Sequence, residues 1–362
     1  MRVSLDETEI IAPHFKRRLS GVTSTIIQLI PLQREQGVRI SALGFGLPQT
    51  LPTLAFRDLF GLWKSPKGKP FRIWHARRNI EMLCGVFLRD VLRMKLKLIF
   101  TSASRRKHKP FTKWLLRRMD KVIATSVCTG TYLEVPHKVI MHGVDIRRFS
   151  PPQTLDDCFS STGFPGKYAV GCFGRVRYLK GTDLFVDAMI ALLPCYPDWT
   201  AIIAGRTTEQ HYGFEKKLRQ KIAEAGLNDR IIFLGERLDI PVWYRRLSLY
   251  VTPSRLEGFG LTPLEAMASQ TAVVASDVGI FKKLVVEGTG TVVQAGEGAA
   301  LTAAIEPYFA DVEKTLVAGK KALTHVRTHF PLEKEASKIE SVYKELFAEK
   351  NFDFYIKNLF EE

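Results

Sequence analysis

The sequence predicts an α/β protein of two domains, each a mostly parallel sheet with helices on both faces. Three observations carry this. The chain has 362 residues, more than the roughly 250–300 at which one hydrophobic core stops growing. Apolar runs of strand length alternate with segments of helical spacing along most of it, the rhythm of parallel sheets covered on both sides. That rhythm pauses at 150–167, a stretch rich in Pro, Ser and Gly that reads as a hinge.

The first domain is expected over 1–165. Residues 25–36 repeat at helical spacing, Gly37 ends the run, and 39–43 reads as a strand. Residues 48–70 are rich in Pro and Gly and read as a mobile surface excursion. Strands are expected at 71–75, 96–100 and 121–125, helices at 79–94 and 111–119, and 135–140 closes the domain.

The second domain is expected over 166–340. Its strands fall at 168–173, 200–204, 230–234, 248–252, 271–275 and 290–293. Its helices fall near 182–193, 210–225, 240–246, 263–269, 280–287, 298–309 and 313–328. From 332 to 347, Ala336, Ile339, Tyr343, Leu346 and Phe347 share one helical face. The tail 341–362 ends in Phe352, Phe354, Tyr355, Ile356, Leu359 and Phe360. A membrane anchor is the lesser reading of that end, because 351–362 carries three acidic residues, Asp353, Glu361 and Glu362, and only one lysine, Lys357.

Composition narrows the class. With 46% apolar and 25% charged residues the chain is not of disordered type. Cys84, Cys128, Cys158, Cys172 and Cys195 form no CxxC pair, and read as small core residues in a reducing compartment. The start turns acidic at once, unlike a signal peptide, and no apolar run is long enough to cross a bilayer; a cytoplasmic location is expected. Residues 1–160 hold 28 Lys and Arg against 12 Asp and Glu, which is the whole net excess of +16. The clusters Lys16-Arg17-Arg18, Arg77-Arg78, Arg105-Arg106-Lys107 with Lys109, and Arg117-Arg118 therefore predict an anionic partner for the first domain. No helix-turn-helix, zinc finger or aromatic-basic RNA motif accompanies them, so nucleic acid is not expected. A phosphorylated glycolipid at a membrane surface fits the charge.

Two segments carry the chemistry. In 254–265, Glu257 and Glu265 bracket a Gly258-Phe259-Gly260-Leu261 turn that follows the strand at 248–252 and opens a helix. Such a turn brings backbone N–H groups to the carboxyl edge of a sheet, where ligands of open α/β sheets bind. Two carboxylates there suit sugar hydroxyls rather than phosphate. In 168–181 a strand ends at Gly174, and Arg175 and Lys180 flank the following turn before Gly181. Guanidinium and ammonium together can neutralise a departing diphosphate. A ligand with both phosphates and sugars is expected.

This pair of segments resembles the retaining GT-B nucleotide-sugar glycosyltransferases, the family of sucrose synthase, glycogen synthase and bacterial lipopolysaccharide glycosyltransferases. It carries two glutamates separated by seven residues, matched by Glu257 and Glu265, and a Gly-Arg…Lys-Gly element, matched by Gly174, Arg175, Lys180 and Gly181. His142-Gly-Val-Asp145 with Phe149, and Gly205-Arg206, match as well.

The resemblance implies a GT-B fold, two Rossmann-like domains facing across a cleft, with the tail crossing back to the first. It implies Glu257 on the donor hexose, Glu265 on the ribose, and the backbone of Gly258, Phe259, Gly260 and Leu261 near the sugar-phosphate. Arg175 and Lys180 would stabilise the diphosphate, with no metal or other cofactor. Gly21, in Ser20-Gly21-Val22, stands for the family's double-glycine phosphate loop. His75 is the expected cleft-facing polar residue. Where relatives place a histidine after the next strand, this chain reads Thr101-Ser-Ala-Ser104, leaving Ser102, Ser104 and His108 as candidates. Arg105, Arg106, Lys107 and His108 are expected to meet an anionic acceptor.

The segments 75–82 and 101–108 resemble lipopolysaccharide-core mannosyltransferases of alphaproteobacteria. That implies GDP-mannose as donor, a Kdo-containing lipid A–core acceptor, and peripheral contact with the inner membrane. The alternatives are another donor or glycolipid acceptor, a UDP-sugar 2-epimerase, and a non-catalytic nucleotide-sugar-binding subunit.

Overall fold

The computed structural model describes residues 1–16 and 21–359, with side chains given up to Glu349 apart from Val22. Arg17, Arg18, Ser20 and Phe360 lie outside the described residues, as do the side chains of Phe352, Phe354, Tyr355, Ile356 and Leu359. The chain divides into two compact units, Met1–His142 with Leu332–Glu362, and Gly143–Pro331.

The first unit is built on seven parallel strands, β1 (Ile10–His14), β2 (Ile40–Gly44), β3 (Thr53–Leu54), β4 (Arg72–Ala76), β5 (Leu96–Ser102), β6 (Lys121–Ala124) and β7 (Lys138–Val139). They lie in the order β3-β2-β1-β4-β5-β6-β7. Helices α1 (Gly21–Glu35), α2 (Asn79–Val86), α3 (Pro110–Leu116) and α4 (Val127–Gly130) connect them. One layer of core joins Ile10, Ile26, Ile30, Ile40 and Ile73 to the last helix, Leu332–Leu359. That helix contributes Leu332, Ala336, Ile339, Tyr343, Leu346 and Phe347. The opposite layer packs Ile11, Trp74, Met82, Leu98 and Leu115.

The second unit is a six-stranded parallel sheet of β8 (Tyr168–Phe173), β9 (Trp199–Ala204), β10 (Ile231–Gly235), β11 (Leu249–Thr252), β12 (Ala272–Ser276) and β13 (Gly290–Val293). Its order is β10-β9-β8-β11-β12-β13. Around it pack α5 (Thr182–Leu192), α6 (Tyr212–Glu224), α7 (Ile240–Arg245), α8 (Thr262–Ala268), α9 (Phe281–Leu284), α10 (Gly298–Ala310) and α11 (Val312–His329). Residues Val170 and Ala201 face one core layer and Ala169 and Ile202 the other, so these strands are apolar on both faces.

In each sheet the strand order reverses once, between β1 and β4 and between β8 and β11. Connections from the two strands at such a point leave in opposite directions and open a crevice at their carboxyl ends.

Several elements depart from the sequence expectation. Strand β1 was not foreseen, because Pro13 interrupts a short apolar run that follows Glu7 and Glu9. Its ladder with β4 uses Ile10 and Ile11 alone, so Pro13, opposite Leu43 of β2, withholds no N–H from that neighbour. The helix expected over 79–94 ends at Val86 and widens over Phe87–Val91. The helix expected at 280–287 is a single turn. Residues 143–165, read with the first domain, pack in the second unit. Phe149 and Phe159 are buried in its core, and Asp157 pairs with Arg245 at 2.8 Å.

Candidate active site

The loops that carry both sequence motifs leave β8 and β11, the two strands at the switch point of the second sheet. Gly174 follows β8 with φ 135°, and Gly205 follows β9 with φ 147°. The two backbones touch: a Cβ on Gly205 would stand 1.9 Å from the Gly174 carbonyl oxygen. Only glycine permits this approach, and the Lys180 side chain passes beside Gly174, 3.9 Å from where a Cβ would stand.

Arg175 stands exposed on the rim of the loop after β8. Lys180 closes a short turn, and Gly181 then adopts φ 70° to open α5. A Cβ on Gly181 would stand 1.9 Å from the Pro253 carbonyl oxygen, so this loop and the one after β11 lie in backbone contact. Arg255 locks them further. It forks onto Asp183 with two 2.7 Å bonds and lies 3.8 Å over the Tyr178 ring.

Glu257 is paired with Lys180, and its other oxygen accepts the Gly258 N–H at 3.1 Å. Gly260 has φ 86°, and Phe259 is buried. Leu261 precedes α8, whose first turn carries Glu265. Burial raises the Glu265 carboxyl above the ordinary carboxylate range, opposed by the Tyr244 hydroxyl, which donates to it at 2.9 Å, and by the charge of Arg148. Tyr244 in turn meets Phe149 edge-on at 5.7 Å. Phe149, read from the sequence as a motif match, is thus a prop beneath the glutamate.

The structure therefore brings Gly174, Arg175, Lys180, Glu257, Gly258, Phe259, Gly260 and Glu265 to one sheet edge. Beside them a pocket of ≈ 220 Å³ is lined by Gly205, Arg206, Thr207, Tyr212, Glu215 and Phe233 among others. Sequence reasoning found Gly205 and Arg206 but missed Tyr212, Glu215 and Phe233, which come from α6 and β10. It also missed Tyr244, Asp183 and Arg255. Arg255 sits two residues from Glu257, a position at which a cation was visible but its partner was not.

In the first unit, Gly21 begins α1 with open space around it. His75 lies in β4, fully buried, with Nδ1 2.7 Å from the Tyr343 hydroxyl and Nε2 2.7 Å from the Thr101 hydroxyl. Burial holds its pKa well below the ordinary value, with Arg77 adding to the effect. Neither ring nitrogen is left over for a substrate in this geometry. At the carboxyl end of the neighbouring strand stands another pair. His14, at the end of β1, has Nδ1 2.8 Å from an Arg78 N–H, and Arg78 also pairs with the buried Glu81 at 2.8 Å. These groups straddle the β1/β4 switch point, and the missed strand explains why His14 was not foreseen. His142 is buried against Glu335 at 2.7 Å.

Ser102 is buried at the end of β5, and Ser104 is partly buried beyond it. Arg105 and His108 are partly buried in the loop that follows, whereas Arg106 and Lys107 are exposed. Burial and Arg106 both lower the His108 pKa. Among the described residues, no three His, Cys, Asp or Glu gather as a metal site, and no helix is long and apolar enough to cross a membrane.

Two doubly wound parallel sheets, with cations and carboxylates at one switch point, define a nucleotide-sugar glycosyltransferase of GT-B fold. The crystal structure of Anabaena HepE in complex with UDP and glucose shares this fold, with a TM-score of 0.79 at 22% identity, over 93% of this chain and all of that one. The family described as "Glycosyl transferases group 1" matches residues 167–311. Similarity extends over nearly the full chain to two curated relatives. The lipopolysaccharide core biosynthesis mannosyltransferase LpcC of Rhizobium leguminosarum bv. viciae is 59% identical, over 95% of this chain and 98% of its own. LpsB of Rhizobium meliloti strain 1021, of the same description, is 54% identical over 95% and 99%. The chain belongs to this glycosyltransferase family and stands beside its lipopolysaccharide-core mannosyltransferases.

Proposed function

We propose that the protein transfers mannose from GDP-mannose to the Kdo-containing inner core of lipopolysaccharide, retaining the configuration at the anomeric carbon. The observation that carries this is the cluster of Arg175, Lys180, Glu257 and Glu265 at one switch point, in a chain 59% identical to a lipopolysaccharide-core mannosyltransferase. Mannose and the lipopolysaccharide core rest on that likeness, and GDP and Kdo on the resemblance of residues 75–82 and 101–108.

The nucleoside enters the pocket beside Gly205, and Glu265 accepts the ribose hydroxyls. The diphosphate lies along the edge between Gly174 and Gly205, within reach of Lys180. Glu257 accepts hydroxyls of the hexose while Lys180 turns from it toward the β-phosphate. As the bond from the anomeric carbon to that phosphate breaks, charge grows on the leaving oxygen, and Arg175 and Lys180 stabilise it. Fixed cations at a developing oxyanion contribute about 3–4 kcal/mol each. The acceptor hydroxyl forms the new bond on the same face, and its proton passes to the departing phosphate. Glu257 and Glu265 bind hydroxyls and are not an acid/base pair.

The first unit takes the acceptor. Arg105, Arg106, Lys107 and His108 follow β5 at the carboxyl edge and suit an acidic sugar. His75 supports that edge from within, through Tyr343 and Thr101. The enzyme works at the cytoplasmic face of the inner membrane, in peripheral contact with it. Mass-spectrometric detection of transfer from a panel of GDP- and UDP-sugars to Kdo-containing lipid A tests the reading. Mannose added from GDP-mannose alone is the expected product. Transfer only from a UDP-sugar, or no transfer to any Kdo acceptor, overturns it.

A further inference from the structure

Exposed Phe and Trp side chains are distributed very unevenly in this molecule, although the second unit exposes Tyr178 and Tyr212. Among the described residues, all seven Phe and Trp side chains at least 40% exposed belong to the first unit. That unit also carries 31 Lys and Arg against 17 Asp and Glu, whereas the second carries 22 against 20. Scattered apolar residues on a surface need no explanation, but a connected set does.

Much of this set is connected. Strands β2 and β3 run out into Phe45 and Phe56, whose rings are 4.9 Å apart, and Phe15 after β1 lies 6.2 Å from Phe56. The rim continues through the turn Phe56–Gly61 to Phe60, which is 76% exposed, and on to Trp63. The Trp63 indole N–H donates to the Leu92 carbonyl at 2.7 Å, placing Trp63 against the turn after α2 that exposes Phe87 and Val91. Exposed cations Arg57, Lys64 and Lys67 interleave with these rings. Asp58, the one acid between 56 and 69, is committed to the Ala55 N–H at 2.7 Å.

We propose that this aromatic and basic rim is the face by which the first unit docks on an anionic lipid bilayer. The inference rests on the reading that the acceptor is lipid-borne, and names the surface that meets the lipid. A protein partner is disfavoured, because protein interfaces are depleted of lysine. Aromatic rings set among cations are the composition that partitions into a headgroup region. The rim begins at the carboxyl ends of β1, β2 and β3, the ligand edge of the sheet. From there it passes round the outer strand β3 to the amino ends of β4 and β5, where Lys64, Trp63 and the turn before β5 lie, so the docked flank borders the ligand edge.

Vesicle flotation of the full chain tests this, with phosphatidylcholine alone and with phosphatidylcholine mixed with phosphatidylglycerol. The wild type floats with the mixed vesicles only, and salt reduces its binding. Joint Phe60→Ser and Phe87→Ser weakens binding about tenfold. Joint Arg57→Gln, Lys64→Gln and Lys67→Gln weakens it roughly a hundredfold, at about fivefold per cation. Both variants keep their melting temperature and their transfer to an acceptor oligosaccharide freed of lipid. A wild type that transfers mannose yet floats with neither vesicle overturns the docking face and leaves the transfer reading standing. So do variants that float as the wild type does. Flotation lost in both variants, with no mannosyl acceptor found, supports the docking face without that reading.

Discussion

Lys180 and Glu257 form an ion pair across 77 positions of sequence, joining the loop after β8 to the loop after β11. Both side chains are about four-fifths buried, so the pair is shielded from solvent yet still opens onto the sheet edge. A cation held this way is placed before the substrate arrives. Lys180→Ala and Arg175→Ala should each lower kcat by roughly a hundredfold to a thousandfold. The melting temperature of Arg175→Ala should stay near the wild type, while Lys180→Ala, which strips the largely buried Glu257 of this partner, should lower it moderately with the fold intact. Normal transfer by both variants would remove the diphosphate assignment.

Gly181→Ala should separate the two loops, because its Cβ would be driven into the Pro253 carbonyl and φ 70° disfavours alanine. A loss of about 2–3 kcal/mol is expected from clash and strain, with transfer falling further than stability. Thermal unfolding and initial rates on the same preparation separate the two effects. An unchanged melting temperature would show that the loops are not locked there.

Glu265 makes donor affinity pH-dependent. On the proposed reading its ionised form accepts the ribose hydroxyls, and burial raises its pKa. Affinity for the nucleotide sugar should therefore decline, as pH falls, before an ordinary carboxylate would protonate. Tyr244→Phe removes the hydroxyl that donates to the carboxylate, so the decline should move to still higher pH. Calorimetric titration across pH reads this directly, and identical profiles for the two proteins would refute it.

His75 and Tyr343 give a test of position against contact. Tyr343→Phe strands a buried ring nitrogen, which costs about 1–3 kcal/mol, and should lower the melting temperature while kcat/KM holds near the wild type. A hundredfold fall in kcat without loss of stability would instead put His75 in contact with substrate.

Acid should loosen the first unit through His14. Burial, with Arg78 and Arg77 nearby, lowers its pKa from 6.5 to about 4. The unfolded chain takes up the proton first on acidification, so stability falls as pH drops from 6.5 toward 4. His14→Gln should flatten the dependence of stability on pH over that window. Denaturant unfolding at intervals of pH measures it, and an equally steep slope in the variant would exclude His14 as the source.

The second unit was more legible in the sequence than the first, for a physical reason. Strands such as Ala169–Cys172 and Leu249–Val251 are buried on both faces and read as unbroken apolar runs. The glycines that bend their loops are visible as letters. In the first unit, Pro13 and the preceding acids concealed β1, and with it the place of His14. Tyr244, Asp183 and Tyr343 could not be assigned at all, because each acts on a partner 21, 72 or 268 positions away. Spacing along a chain says nothing about such pairs.

The last helix lends its apolar face to the core of the unit that begins the chain. In order of synthesis, that unit is started first and finished last. Ile10, Ile26 and Ile73 have no complete apolar cover until residues 332–347 leave the ribosome, some two hundred and sixty positions after β4. The intervening unit, drawn from one continuous segment, can close before them. A stop codon or protease cut just before Leu332 would therefore spare the second unit and leave the first with an open flank.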